Sequence, residues 1–311
     1  MKYCFGPMTV NITNAIINWS NDNNVCVGFI PSRRQIDYNG GYVGFTTESF
    51  CEYVRSKSKI TLERDHGGPL QGVMKDSGDK SLDVDAQYFD IIHIDPFKQY
   101  PNIVEAARYT ANAINRLIRK NPRIKFEVGT EENIYKYQKN DLNKFLDLLV
   151  KLTNNFSSIE YVAVQTGCQI RGLSNKNSFN SKKISKTLQM CNQYGLKTKE
   201  HNGDFLTGED VKKRIDIGID CINIAPELGI IETAAIIRSA GPILRNDLIA
   251  FLVKSNKWKK WLPYSADDYS KAVFSGHYMS LDKEFILLRN QISNLDTTTD
   301  ITNFLNGIIN A

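Results

Sequence analysis

Three of the four histidines in the chain end or interrupt short apolar segments that have the character of buried strands. His66 follows ITLERD, His93 lies within DIIHID, and His201 ends LKTKEH. Imidazole nitrogens are good zinc ligands, and a catalytic zinc usually keeps three protein ligands and one open position. The sequence therefore predicts that His66 and His201 bind a divalent metal ion, with zinc as the expected ion.

The residues alone leave the third ligand of such an ion open. The candidates lie on neighbouring predicted strands and are His93, Glu127, Glu131 and Gln165. The position of His93 is equally compatible with a substrate contact and with a structural role.

Asp65, directly before His66, is the predicted acid or base of the site. A carboxylate beside a bound ion can move a proton while the ion polarises a substrate oxygen. The alternative is that Asp65 caps a turn or orients a ligand.

Two parts of the sequence are candidates for binding an acidic group of a substrate. Asn202 and Gly203 precede one predicted helix, where backbone N–H groups are available to an anion. Arg33 and Arg34 follow the second predicted strand, where a guanidinium can hold a phosphate or carboxylate through two hydrogen bonds. A solvated arginine at the rim is the alternative for either one.

Eight short apolar segments alternate with longer segments of helical period, which predicts the elements that position these residues. The strand candidates are residues 2–6, 25–30, 60–64, 90–95, 125–130, 161–166, 196–201 and 221–225. Strict alternation implies parallel strands with right-handed crossovers. The predicted fold is therefore an α/β protein, a (β/α)8 TIM barrel whose active site lies at the carboxyl ends of the strands.

The predicted barrel spans residues 1–240, and a helical extension packed on it spans residues 241–311. The extension could cap the barrel or form an oligomer contact. A basic run at 254–260 is most simply a solvated helix face. The polar segments 75–81 and 175–181 are predicted surface loops.

Composition excludes several other classes of protein. The net charge of +5, from 39 basic and 34 acidic residues, is too small and dispersed to predict nucleic-acid binding. No apolar run is long enough to span a bilayer, and no secretory signal is visible at the start. Six cysteines without paired spacing favour reduced thiols. A cytoplasmic protein is therefore expected.

The segments around Asp65 and His201 resemble the class II, metal-dependent aldolases of the fructose- and tagatose-bisphosphate type. ITLERDHGG is similar to their strand ending in Asp-His, in which the aspartate transfers a proton and the histidine binds zinc. KTKEHNGDFLTGEDVKKRIDIGIDCINIAPEL is similar to their phosphate loop, helix and following strand. The resemblance implies that His201 is a zinc ligand, Gly203 belongs to the phosphate loop and Asn223 contacts substrate.

A nearer resemblance is to the branch of non-catalytic subunits of tagatose-bisphosphate aldolase. It rests on DHGGP, IHID, GTE and VQTG, and it covers nearly the whole barrel. Within these segments we expect His93, Asp95 and Gln165 to contact substrate. The catalytic class has His at the position of Gln165 and Asp at the position of Ala225. Glu127 or Glu131 is then expected to complete the metal shell, or the metal is held less tightly.

Three hypotheses follow for function. The first is an aldolase acting on a sugar or sugar phosphate, in which the ion polarises a ketose carbonyl and stabilises the enediolate formed by cleavage. The second is an accessory subunit that stabilises a separate aldolase. The third is a Schiff-base aldolase that uses Lys199. A homo-oligomer or a partner aldolase subunit is expected in either of the first two cases.

Overall fold

A computed structural model of the protein describes residues 1–130, 140–176 and 178–309. Eight parallel strands close into a barrel in the order in which they occur along the chain, so the predicted (β/α)8 fold is confirmed. Closure is made by β1 and β8, where Cys4 is in register with Asn223. On its other side β1 pairs with β2, where Cys4 is in register with Gly28.

Each predicted strand corresponds to an observed one, with differences of a few residues at the ends. The strands are β1 Tyr3–Phe5, β2 Gly28–Phe29, β3 Thr61–Gly67, β4 Ile91–Ile94, β5 Lys125–Gly129, β6 Ile159–Val164, β7 Lys197–Glu200 and β8 Cys221–Ile224. Most are buried on both faces, which is why their sequences are short, apolar runs without alternation.

Helices follow the strands and form the outer layer. They are α1 Val10–Asn23, α2 Thr47–Arg55, α3 Asp79–Tyr88, α4 Ile103–Lys120, α5 Asp141–Leu152, α6 Ser181–Gln193, α7 Gly208–Asp216 and α8 Pro226–Ser239. The prediction of a loop over 75–81 is wrong at its end, because α3 begins at Asp79. Half of the buried residues of α3 are polar, namely Ser81 and Asp85. The helix therefore lacks the periodic spacing of apolar residues from which a helix is predicted.

The extension contains four more helices, α9 Pro242–Lys254, α10 Asp268–Ser275, α11 Lys283–Arg289 and α12 Thr298–Ile309. The first three pack with the end of α8 around a second apolar cluster. The last helix returns to the barrel and packs on α1 and α8, where its buried leucine and isoleucines join the main core. The chain after residue 240 therefore contacts the barrel at two separate places.

Across the described ranges, no helix combines the length and the apolar character needed to cross a membrane. All six cysteines are unpaired in the structure, and only Cys26 is exposed.

Candidate active site

Asp65 lies among three imidazole rings at the carboxyl ends of the barrel strands. Its Oδ1 is 3.8 Å from His201 Nδ1 and 3.9 Å from His93 Nδ1, and its Oδ2 is 3.8 Å from His66 Nε2. The ring centroids of His66, His93 and His201 form a nearly equilateral triangle with sides of 5.1, 5.3 and 5.5 Å. Four residues predicted from sequence to belong to the site are thus brought together.

An irregularity in β3 allows two consecutive residues to face this cluster. Successive side chains of a regular strand point to opposite faces. The register between β3 and β4 shifts between Arg64 and Gly67, and His66 adopts a left-handed conformation with φ of 46°. Such bulges redirect side chains and are frequent beside active sites.

A buried carboxylate orients each of two imidazoles from behind. Asp95 Oδ2 lies 2.6 Å from His66 Nδ1, and Glu127 Oε1 lies 2.6 Å from His201 Nε2. A carboxylate that accepts one ring N–H fixes the tautomer and leaves the other nitrogen basic. His66 therefore presents Nε2, and His201 presents Nδ1, to Asp65.

Lys199 lies below this layer in the barrel interior. Its ammonium contacts the carboxylate of Glu63 and lies 2.8 Å from Glu127 Oε2. Burial alone would lower the pKa of Lys199, but Glu127 and Glu63 outweigh burial and raise it well above its usual value. A Schiff base needs a neutral amine, so the geometry disfavours the hypothesis that Lys199 is the nucleophile.

The charges of the carboxylates in this layer are set by their neighbours. Burial alone would raise the pKa of Asp65, yet His66, His93 and His201 outweigh it and the pKa lies well below its usual range. In Glu127 the effect of burial is outweighed by Lys199, His201 and His93, which also lower the pKa. Both side chains are therefore carboxylates at neutral pH.

The donor set of Asp65, His93 and His201 fits a divalent metal ion. One ligand atom from each of the three residues lies within 4.8 Å of the others. The donors of a tetrahedral zinc site, each bound at about 2.0–2.2 Å, lie about 3.3–3.6 Å apart. The Asp65 carboxylate lies 3.8 and 3.9 Å from the two ring nitrogens, so those pairs need shifts of a few tenths of an ångström, whereas a pair at the 4.8 Å limit needs a shift of roughly 1 Å. Of the predicted ligands, His201 belongs to this set, whereas His66 lies beside it.

A cavity of about 180 Å³ opens above the cluster. Asp65, His66 and His201 line its base, together with Asn202 and Asn223. The buried Oδ1 of Asn223 accepts no hydrogen bond from the residues that the structure describes, so it is available to a ligand. Both asparagines thus line the cavity, and their contact with a substrate stays a prediction.

Several residues that line the cavity were not identified from the sequence. The loop after β2 supplies Tyr42 beside the predicted Arg34, and the C-terminal extension supplies Lys260, Trp261 and Tyr278. The basic run at 254–260 was the only sequence feature that pointed to this wall of the cavity. The spacing of its charged residues did not indicate that Lys260, at its end, reaches the barrel mouth. Trp258 within the same run is buried rather than solvated.

Other predicted site residues lie outside the cavity. Arg33 is buried and forms ion pairs with Asp37 and Asp76, so its guanidinium is fully engaged within the fold. Gln165 donates to Thr130 O at 2.7 Å and lines a different pocket.

The remaining assignments concern four further positions. Gly203 donates its N–H to Asn223 O at 2.8 Å and packs against β8, where a Cβ would meet Ile222 at 2.3 Å. Glu127 and Asp95 contact histidines from behind rather than from the cavity side. Glu131 lies outside the described residues.

The fold and this polar site at the strand ends define a (β/α)8 barrel of the kind that carries enzymes. A protein described as a probable tagatose 6-phosphate kinase from Sinorhizobium meliloti superposes with a TM-score of 0.74 at 15% identity, over 99% of both chains. A fructuronate-tagaturonate epimerase from Cohnella laeviribosi gives 0.63 at 10% identity, over 99% of this chain and 80% of that one.

The YdjI aldolase from Escherichia coli gives a TM-score of 0.55 at 13% identity, over 95% of this chain and 93% of that one. Aldolases are thus among the structural neighbours, as the sequence resemblance predicts, and at these identities the likeness is one of fold. No protein-family model matches the sequence, and neither does any curated protein.

Proposed function

We propose that the protein is a sugar-converting enzyme of the metal-dependent lyase type, which cleaves or forms a carbon–carbon bond of a ketose or ketose phosphate. The observation that carries the proposal is the convergence of Asp65, His93 and His201 at the barrel mouth. Support for a sugar substrate comes from the neighbours, whose names include two aldolases acting on ketose-type substrates and an epimerase of keto sugar acids.

When bound by Asp65, His93 and His201, a divalent ion supplies Lewis acidity for a substrate carbonyl. Glu127 holds the His201 ring so that Nδ1 faces the cavity side of the site. His93 is buried, so its ring is held by packing rather than by solvent. These residues thus form a preorganised site, so the reaction requires little rearrangement of their side chains.

His66 is the group placed to move a proton in this scheme. About a third of its side chain is exposed at the base of the cavity, and Asp95 fixes its Nδ1. Its Nε2 can accept a proton from a substrate hydroxyl and return it to carbon or oxygen. The sequence assigned proton transfer to Asp65 and metal binding to His66, and the geometry favours the reverse.

The arrangement also bears on the alternative of an accessory subunit. Such a subunit requires a stable surface but does not require buried carboxylates behind two imidazoles at the barrel mouth. Maintaining Glu127 and Lys199 buried in the barrel carries a desolvation cost that packing with apolar residues would avoid. The presence of these buried charged residues beside the imidazoles therefore supports a catalytic protein.

The test combines metal analysis with an assay for carbon–carbon cleavage. The purified protein should contain about one divalent ion per chain, lose activity towards a panel of ketoses and ketose phosphates in EDTA, and regain it with zinc or cobalt. His201→Ala should lose the ion while remaining folded. Lys197→Ala, at the exposed opposite end of the same strand, is the matched control and should keep both.

Full metal occupancy in His201→Ala would rule out its role as a ligand. Turnover that resists EDTA and is trapped by borohydride would contradict the proposed chemistry and restore the hypothesis of a Schiff base. Inactivity of the metal-loaded protein alone, together with stabilisation of a separate aldolase, would favour the accessory subunit.

A further inference from the structure

The loops after β7 and β8, where barrels of this type usually bind phosphate, are filled by side chains of the protein itself. Asp204 Oδ1 accepts hydrogen bonds from Ala225 N at 3.0 Å and Glu227 N at 2.9 Å. Glu227 Oε2 in turn accepts from Phe205 N at 2.6 Å. Two backbone donors at the start of α8, Ala225 N and Glu227 N, are therefore already bound to Asp204.

The charge of these loops also opposes an incoming anion. Burial raises the pKa of Asp204 to about 6, so the side chain is mostly a carboxylate at neutral pH. Burial, with a smaller contribution from Asp204, raises the pKa of Glu227 to about 8. Glu227 is therefore mostly neutral at neutral pH, and a phosphate placed here would meet the negative charge of Asp204 and backbone donors that are already bound.

Positive charge is found on another wall of the same cavity. Arg34, from the loop after β2, and Lys260, from the extension, both line it. Neither forms an ion pair with a carboxylate in residues 1–130, 140–176 or 178–309. Burial together with the charges of Arg34 and Lys98 lowers the pKa of Lys260 to about 8, which leaves the ammonium charged at neutral pH.

Neighbouring aromatic groups hold this wall in place. The Lys260 ammonium lies 4.3 Å from the centre of the Trp261 ring. Trp261 Nε1 donates to the hydroxyl of Tyr278 at 3.1 Å, so the hydroxyl proton of Tyr278 can be directed to a ligand. Two cations that form no ion pair within the described part of the chain, together with a hydroxyl donor, line one wall of this cavity, and an anion bound there would be stabilised by them.

We propose that the substrate is a sugar with one acidic end group, a carboxylate or a phosphate, which Arg34 and Lys260 bind while the other end reaches Asp65 and the histidines. This inference rests on the proposed function for the identity of the sugar, but the anion site itself does not. The extension is thereby a part of the substrate site. A second phosphate in the loops after β7 and β8 would find Ala225 N, Glu227 N and Phe205 N already bound to carboxylates.

The first experiment uses inorganic phosphate as the probe and metal-free protein, so that the metal site cannot be its ligand. Calorimetry should detect one saturable site. Arg34→Gln and Lys260→Gln should each weaken binding by about tenfold or more, since a charge-assisted hydrogen bond is lost. Lys259→Gln is the matched control and should leave binding unchanged, because Lys259 lies over Trp258 and Tyr264 instead.

The second experiment separates the possible acidic groups in zinc-loaded protein. D-fructose, D-fructuronate and D-fructose 6-phosphate differ only at carbon 6. We expect at least one of the two acids to bind about tenfold or more tightly than fructose, and to lose that advantage in Arg34→Gln. D-fructose 1,6-bisphosphate should bind no more tightly than the 6-phosphate.

The inference is overturned if no saturable phosphate site exists, if both variants bind phosphate as well as the unaltered protein, or if the bisphosphate is strongly preferred. Failure of the proposed function gives a different result. In that case phosphate binding still depends on Arg34 and Lys260, while no ion is bound by Asp65, His93 and His201.

Discussion

At the scale of single residues, the site consists of imidazoles held by buried carboxylates. His201 rests on Glu127 and His66 rests on Asp95, each at 2.6 Å. The second carboxylate oxygen of Glu127 contacts Lys199, so the position of His201 is coupled to an ion pair in the barrel interior. An imidazole fixed in this way is a better metal ligand than one free to rotate.

Glu127→Gln tests the coupling between Glu127 and His201. The amide is a weaker and uncharged acceptor, so we expect the affinity for zinc to fall about 10–100-fold, the range typical of such supporting residues. Glu63→Gln is the control, since Glu63 contacts Lys199 but not His201. Its zinc affinity should stay within about twofold of the unaltered protein.

Competition with a chelating dye measures both affinities. Equal losses of zinc affinity in Glu127→Gln and Glu63→Gln would show that the ion pair as a whole, rather than the hydrogen bond to His201, supports the metal.

The residues of the site could be predicted as far as their placement depends on local sequence. Asp65, His66 and His201 stand at strand ends, so parallel strands bring them together whatever else the chain does. The roles within the cluster could not be predicted, because they depend on the bulge in β3 and on which ring faces which carboxylate. Arg33 and Arg34 are adjacent in sequence, yet one is buried in ion pairs and the other faces the cavity.

At the scale of elements, the apolar strands and the amphipathic helices could be predicted from the sequence. The helix α4 begins and ends where its three-and-four apolar spacing predicts, because its buried face is almost entirely apolar. The helix α3 escaped prediction because Arg64 holds Asp85 in a buried ion pair on that face. The approach of residues 257–261 to the barrel mouth depends on packing between segments that are distant in sequence. The local spacing of apolar residues carries no information about such packing.

The contribution of the extension to anion binding should depend on pH. The pKa of Lys260 is lowered to about 8, so its ammonium is charged below that value and loses its charge above it. Arg34, Lys98, Asp65 and His277 are the charged or titratable groups that act on it. The affinity of metal-free protein for sulfate, whose own charge is constant, should therefore fall as the pH rises from 7 to about 9.5.

Lys260→Arg should keep its affinity for sulfate over this range, because guanidinium stays charged. Lys260→Gln should bind weakly and show little change with pH. If the unaltered protein binds sulfate equally at both ends of the range, Lys260 is not part of the anion site.

At the scale of the whole molecule, the extension and the barrel share one core. The helix α12 places Ile301, Leu305 and Ile308 in the main apolar cluster, although 280 residues and more separate it from β1. Division of the chain at residue 240 stays a prediction about sequence organisation. The packing indicates that the two parts unfold together.

Leu305→Ala tests this shared core. Leu305 is fully buried, so its truncation should lower the free energy of unfolding by about 2–5 kcal/mol in urea denaturation. Leu287→Ala, in the same extension but with the side chain 67% exposed, should change it by less than about 0.5 kcal/mol. Separate transitions for barrel and extension, with only the latter shifted by Leu305→Ala, would contradict the shared core.

The proposed chemistry depends on a metal ion at the mouth of the barrel. Anomalous diffraction at the zinc edge, from crystals grown with zinc, tests it most directly. We predict one strong peak about 2.0–2.2 Å from a carboxylate oxygen of Asp65 and from ring nitrogens of His93 and His201. A peak held by other residues only, or none at this site in protein saturated with zinc, would contradict it.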